Sequence, residues 1–126
     1  MNKAFEIGNL TKDPELRTTP DGRAVCNFTL AVNRRVKKEA EHPEADYFRV
    51  TVWDKLAESC GKYLAKGKKA SVIGAVSLQH YTDQNNVIRY YMQLNATDVE
   101  FLSPRQADGP AEEGGYVQVE DEDGNF

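Results

Sequence analysis

The chain has 126 residues, 29% of them charged, a formal net charge of -4 and two cysteines. That is length for one domain with a single modest core, and it leaves no room for a second folded unit of ordinary size. Cys26 and Cys60 form no CxxC pair or Cys/His cluster, which argues against a disulfide scaffold and against a metal site. The opening MNKAFEIGNL has no uninterrupted apolar core of the export type, and no apolar run approaches bilayer length. A soluble cytoplasmic protein with no cofactor and no membrane partner is expected.

The charge is segregated along the chain. Residues 1–105 carry all 16 basic residues and 13 of the 20 acids, whereas residues 106–126 carry seven acids and no Lys or Arg. A mildly basic domain over 1–105 followed by a disordered acidic tail over 106–126 is predicted, since the tail is rich in Gly, Pro and Glu and has no core pattern.

In chain order, residues 3–10 form a first apolar stretch that ends at KDPE, and TPDG at 19–22 is a strong turn sequence. From Ala24 to Asn33 apolar residues alternate, with Cys26, Phe28, Leu30 and Val32 on one side. The segment RRVKKEAEHPEA lacks any apolar period and reads as a loop, basic first and acidic after. The next strand is YFRVTVW. Its core side is Phe48, Val50 and Val52, and its other side mixes Tyr47, Arg49, Thr51 and Trp53. Asp54 is placed to cap a helix in which Leu56, Ala57, Cys60, Tyr63 and Leu64 recur at helical spacing and which Gly67 closes. KASVIGAVSLQHY then resumes a two-residue period, DQNN turns the chain into VIRYYMQLNA, and a short last strand DVEFL ends at Ser103-Pro104.

Five strands with one helix between the third and fourth is the order of an OB-fold barrel, an all-β architecture whose second and third strands form the binding face. An SH3-like barrel or a small α+β sheet fits the order less well. On that barrel Tyr47, Arg49 and Trp53 line up on the open face, with Tyr81 reaching in from the hairpin. Exposed rings along a groove suit unpaired bases, each of which offers a π-face, while a duplex hides those faces. Cations beside the rings suit phosphates: Arg34, Arg35, Lys37 and Lys38 on the loop, Arg49 and Lys55 near the rings, and Lys66, Lys69 and Arg89 farther off. A single outward ring is more often half-buried packing or part of an oligomer interface. The combination of ring, cation and ring on one face with a basic loop favours nucleic acid. An OB module for structured RNA, or a protein-interaction subunit, remain the alternatives.

No catalytic constellation is present. His42 and His80 have no partner at a motif spacing, and Asp13, Glu15 and Asp21 sit in turns. With no phosphate-cradling glycine loop, nucleophile elbow or HExxH, no enzyme is expected.

The stretches GNLTKDPELRTTPDGRAVCNFTLAVNR, ADYFRVTVWDKLAESCGKYLAKG and VIGAVSLQHYTDQNNVIRYYMQLNATDVEFL together resemble the bacterial single-stranded DNA-binding protein (SSB) family over about residues 1 to 103. The resemblance implies an OB fold, homotetramers of paired domains, and single-stranded DNA wrapped over several subunits during replication, recombination and repair in the nucleoid. It places stacking rings at Tyr47, Trp53 and Tyr81. A further loop aromatic of the family falls at Val36, and basic residues before the hairpin ring are replaced by Ser77, Gln79 and His80, which implies a weaker grip. The resemblance also implies a C-terminal tip that docks replication and repair enzymes. Here the acids Glu120, Asp121, Glu122 and Asp123 and the ring Phe126 are kept, while Gly124 and Asn125 stand where the family has an apolar residue and proline.

Overall fold

Alternating side chains become a sheet that curls on itself. In the computed structural model, which describes residues 1–35 and 44–103, the elements are β1 (Lys3–Leu10), β2 (Glu15–Thr18), β3 (Ala24–Asn33), β4 (Ala45–Trp53), α1 (Asp54–Tyr63), β5 (Lys69–Thr82) and β6 (Ile88–Phe101). The strands are ordered β1-β5-β6-β4-β3-β2, and β1 also pairs with β3 through Asn9↔Ala31 and Leu10↔Leu30. That extra pairing closes β1, β5, β6, β4 and β3 into a five-stranded barrel. All pairings are antiparallel except β4 with β6, which run parallel from Phe48↔Met92 to Thr51↔Asn95. The connectivity, with α1 between the third and fourth barrel strands, is that of an OB fold.

The seam depends on a missing side chain. A Cβ on Gly8 would stand 2.3 Å from the Ala31 carbonyl oxygen, so only glycine lets β1 approach β3. Inside, Leu30, Leu94, Val50, Val52, Val72 and Cys26 are fully buried, and Phe28 and Leu10 pack with them. Helix α1 stops one end of the barrel with Ala57 and Cys60, packed chiefly against β3. Truncating a central residue such as Leu30 to Ala costs about 2–5 kcal/mol, a large share of a domain's margin of about 5–15 kcal/mol.

Four sequence expectations need correction. Glu15–Thr18 is a strand, β2, which had no apolar period because all four residues are exposed; backbone pairing to β3 alone makes it. The separate last strand DVEFL does not exist as such, since β6 runs unbroken from Ile88 to Phe101. A bulge opposite Ile73/Gly74 shifts the register within β6, between Ala96 and Asp98. Asp54 does not cap α1: Trp53 holds the cap position without a side-chain hydrogen bond, and Asp54 is itself the first helical residue. The helix ends at Tyr63, where the Leu64 N–H bonds to the Cys60 carbonyl, and Gly67 instead serves the following turn, its N–H on the Leu10 carbonyl. The DQNN turn forms as expected, with the Asp83 carboxylate accepting from the Asn85 and Val87 amides at 2.8 and 3.0 Å.

Among the described residues, large apolar side chains are exposed on β1 and on the hairpin. Phe5 and Ile7 are exposed on β1, whose residues Lys3–Gly8 pair only with β5, so that its other edge has no strand beside it among the described residues. On the hairpin, Leu78, Ile88 and Tyr90 are exposed on the side facing away from Tyr81.

Candidate nucleic-acid interface

Strand β4 positions the site. Its alternation sends Val50 and Val52 into the barrel and leaves Tyr47, Arg49 and Trp53 outside. Tyr47 is 60% exposed, Trp53 38% and Tyr81 44%, and none is part of the buried core. Cross-strand register continues this face over its neighbours. Ala31, Thr29, Asn27 and Val25 of β3 stand opposite Tyr47, Arg49, Thr51 and Trp53, and Gln93 and Asn95 of β6 stand opposite Arg49 and Thr51. From β5, Ser77, Gln79 and Tyr81 stand opposite Gln93, Tyr91 and Arg89.

The middle of the face is a flat polar strip. The Thr51 hydroxyl donates to the Asn27 amide oxygen at 2.8 Å, and the Gln93 amide N–H donates back to Thr51 Oγ1 at 2.8 Å. Tied to one another, Asn27, Thr51 and Gln93 are half-buried, whereas the rings of Tyr47, Trp53 and Tyr81 around them are exposed. Beside the strip, between it and the segment from Lys12 to Arg17, lies an open groove of about 450 Å³ that Arg17, Asn27, Thr29, Arg49 and Gln93 also line.

Each end holds a cation on an aromatic ring. At the hairpin end the Arg49 guanidinium carbon is 4.1 Å from the Tyr91 ring centroid and 5.6 Å from that of Tyr81, with the two rings 6.1 Å apart. At the other end Arg23 lies 4.4 Å over Trp53, and its fork is held by Asp54: Nε donates to Oδ1 at 3.1 Å and Nη2 to Oδ2 at 2.9 Å. The hydrogen bonds from Arg23 hold the Asp54 carboxyl below the ordinary carboxylate range. Asp54 has φ +61, a left-handed conformation that Asp tolerates better than most residues but that still costs about 1–2 kcal/mol.

The predicted phosphate ligands are scattered. Arg49 lies among the rings, and Lys55 is exposed two residues past Trp53. Arg34 is exposed but held by Glu44 at 2.8 Å and Asp46 at 2.7 Å, and its hydrogen bond keeps the Asp46 carboxyl below its ordinary value. Arg89 is paired with Asp83 at 3.0 Å, and the Val87 amide and then Arg89 keep the Asp83 carboxyl low. Arg35 is exposed beside Arg34. Lys66 and Lys69 sit in and just after the turn that precedes β5, with Lys69 opposite Asn9 on β1, so strand pairing does not bring them to the face of β4. Lys37, Lys38, Val36 and His42, and the tail with Glu120, Asp121, Glu122, Asp123 and Phe126, lie outside the described residues.

Sequence reasoning missed Tyr91 and Arg23. Tyr91 could have been found from the DQNN turn, which fixes the hairpin register and so sets Tyr91 on the same face as Tyr81. Arg23 carried no such signal, because it follows a turn and precedes the alternation. Among the described residues no group of three or more metal-binding side chains exists, and no helix is long and apolar enough to cross a membrane.

Residues 1–102 match the single-strand binding protein family. The chain belongs to that family. Among SSB relatives, the single-stranded DNA-binding protein 2 of Clostridium acetobutylicum is 48% identical over 103 residues, covering 81% of this chain and 77% of the relative. The single-stranded DNA-binding protein of Bacillus cereus is 42% identical over 109 residues, covering 86% and 64%. The single-stranded DNA-binding protein A of Bacillus subtilis is 39% identical over 116 residues, covering 92% and 67%. The SSB match thus spans the whole barrel, and the matched segment is about two thirds to three quarters of each of these relatives.

Proposed function

We infer that the protein binds single-stranded DNA without sequence preference, by stacking bases on Tyr47, Trp53 and Tyr81 and by neutralising phosphates with Arg49 and the cations around it. The observation that carries this reading is the row of exposed rings and cations over β4 and the hairpin, around a strip of hydrogen-bonded polar side chains. Each stacked base contributes about 1–3 kcal/mol whatever its identity, which gives grip without reading sequence. Arg35, Lys37, Lys38 and Lys55 extend the phosphate track, while Arg34 and Arg89 contribute only by exchanging their carboxylates for phosphate. Lys66 and Lys69 serve only a strand that wraps around the barrel.

Self-association fits the exposed apolar surfaces. A lone domain seldom leaves Phe5, Ile7, Leu78, Ile88 and Tyr90 in water beside an open strand edge, and covering both surfaces by copies of the chain yields a homotetramer. The protein acts in the cytoplasm, in the nucleoid, where it protects single strands during replication, recombination and repair. The tip from Glu120 to Phe126 recruits partner enzymes, since a terminal carboxylate with a ring fits a basic-rimmed pocket and the acids attract it from a distance.

Trp53 is the protein's one tryptophan, so its fluorescence reports on the site directly. Titration with oligo(dT) is expected to quench it strongly and duplex DNA hardly at all. The log-log salt slope of the affinity should be about -0.7 for each phosphate neutralised. Equal response to duplex, or none to oligo(dT), rejects the reading. Removing residues 120–126 is expected to leave oligo(dT) binding intact or slightly tighter while abolishing capture of partner enzymes.

A further inference from the structure

We propose that Arg23 is a phosphate-binding residue of this site and that Asp54 is an internal competitor that holds it in check; the inference rests on the single-stranded DNA reading. Arg23 is tied by both arms of its fork to Asp54 and lies 4.4 Å over the ring of Trp53. A guanidinium fork fits a carboxylate and a phosphate with the same two parallel hydrogen bonds, so a strand laid on Trp53 offers Arg23 an equivalent partner. The Asp54 carboxylate occupies the place of that phosphate in the free protein.

The pair has little value as a stabiliser. Both side chains are at least half exposed, where an ion pair contributes little. The arrangement has a definite electrostatic effect instead. It holds a cation against the ring and cancels its charge until a stronger anion arrives. Asp21 adds a second negative charge near the pair, and its own carboxyl is engaged by the Thr19 hydroxyl. Affinity at the Trp53 end is therefore set by the exchange of one anion for another. A strand of DNA gains the Nε–Nη2 edge of Arg23, and the full charge of the guanidinium, only by displacing Asp54.

The test is a two-by-two set of full-length proteins: wild type, Arg23→Gln, Asp54→Asn, and both together. Asn keeps the shape of Asp and tolerates the same backbone conformation, so Asp54→Asn removes the charge and one of the two acceptors that hold Arg23 while leaving the backbone as it is. Oligo(dT) affinity is read by Trp53 fluorescence across a salt series, and thermal midpoints check folding. Asp54→Asn should bind about threefold to tenfold tighter at low salt, and Arg23→Gln weaker by a similar factor with a salt slope shallower by at least about 0.7. In the double variant the gain from Asp54→Asn should vanish. An equal gain in both backgrounds would mean only that an acid near DNA is repulsive, and it would overturn the assignment, as would an unchanged slope in Arg23→Gln. A wild-type protein that ignores oligo(dT) would instead overturn the underlying reading and this inference with it.

Discussion

Arg49 and Tyr91 meet across the parallel pairing of β4 and β6, with the guanidinium 4.1 Å from the ring centroid. Two strands far apart in the chain thus fix Arg49 on the outer face of β4. A guanidinium held over a ring loses less freedom on meeting a phosphate than one at the end of an unsupported chain. Tyr91→Ala is therefore expected to weaken oligo(dT) binding about threefold to tenfold, with little change in thermal midpoint. Unchanged affinity would mean that Arg49 needs no support from this ring.

The closure of the barrel rests on Gly8. Gly8→Ala forces a methyl group against the Ala31 backbone, which no rotamer change can relieve, and is expected to destabilise the fold by about 1–3 kcal/mol or more. Chemical denaturation measures this. Because β3 carries one side of the proposed binding face, the variant should also bind less tightly at temperatures where it is still folded. A variant as stable as wild type would mean that β1 and β3 are free to separate at the seam.

Much of this was legible in the sequence because strands with one wet face announce themselves by alternation. Residues 3–10 and 24–33 emerged with their observed limits, and the outward set Tyr47, Arg49 and Trp53 followed from parity alone. What escaped was structure held by backbone or by tertiary contact. β2 has no buried side chain to mark it, and the continuity of β6 is decided by a bulge against β5. The role of Asp54 is set by Arg23, 31 residues earlier, and local spacing offered a helix cap in its place. Tyr91 was missed because two adjacent tyrosines point to opposite faces, and only the register of the hairpin tells which one joins the site.

The cysteines allow a prediction about pH. Both are free and buried, and burial pushes the Cys60 thiol up to about 12 from an ordinary value near 9. The unfolded chain therefore loses this proton at a lower pH than the native protein. Stability from this group is fully present below about pH 9 and is lost as pH rises toward 12, with a slope of up to about 1.4 kcal/mol per pH unit from Cys60 alone. Denaturant midpoints should fall between pH 9 and pH 11, and a thiol reagent at pH 8 should label neither cysteine until denaturant is added. Rapid labelling of the native protein would show that the end of the barrel under α1 opens readily.

The central claim is that Tyr47 and Trp53 are uncovered in order to stack bases and not to hold the fold together. The double variant Tyr47→Ala with Trp53→Ala tests this most directly, with binding read from the anisotropy of a dye-labelled oligo(dT) and folding from a thermal melt. Loss of two platforms should reduce affinity by about 2–6 kcal/mol if the two contributions add, with the thermal midpoint nearly unchanged. Affinity equal to wild type in a folded variant would contradict the account, and so would a collapse of the melt, which would make these rings part of the core.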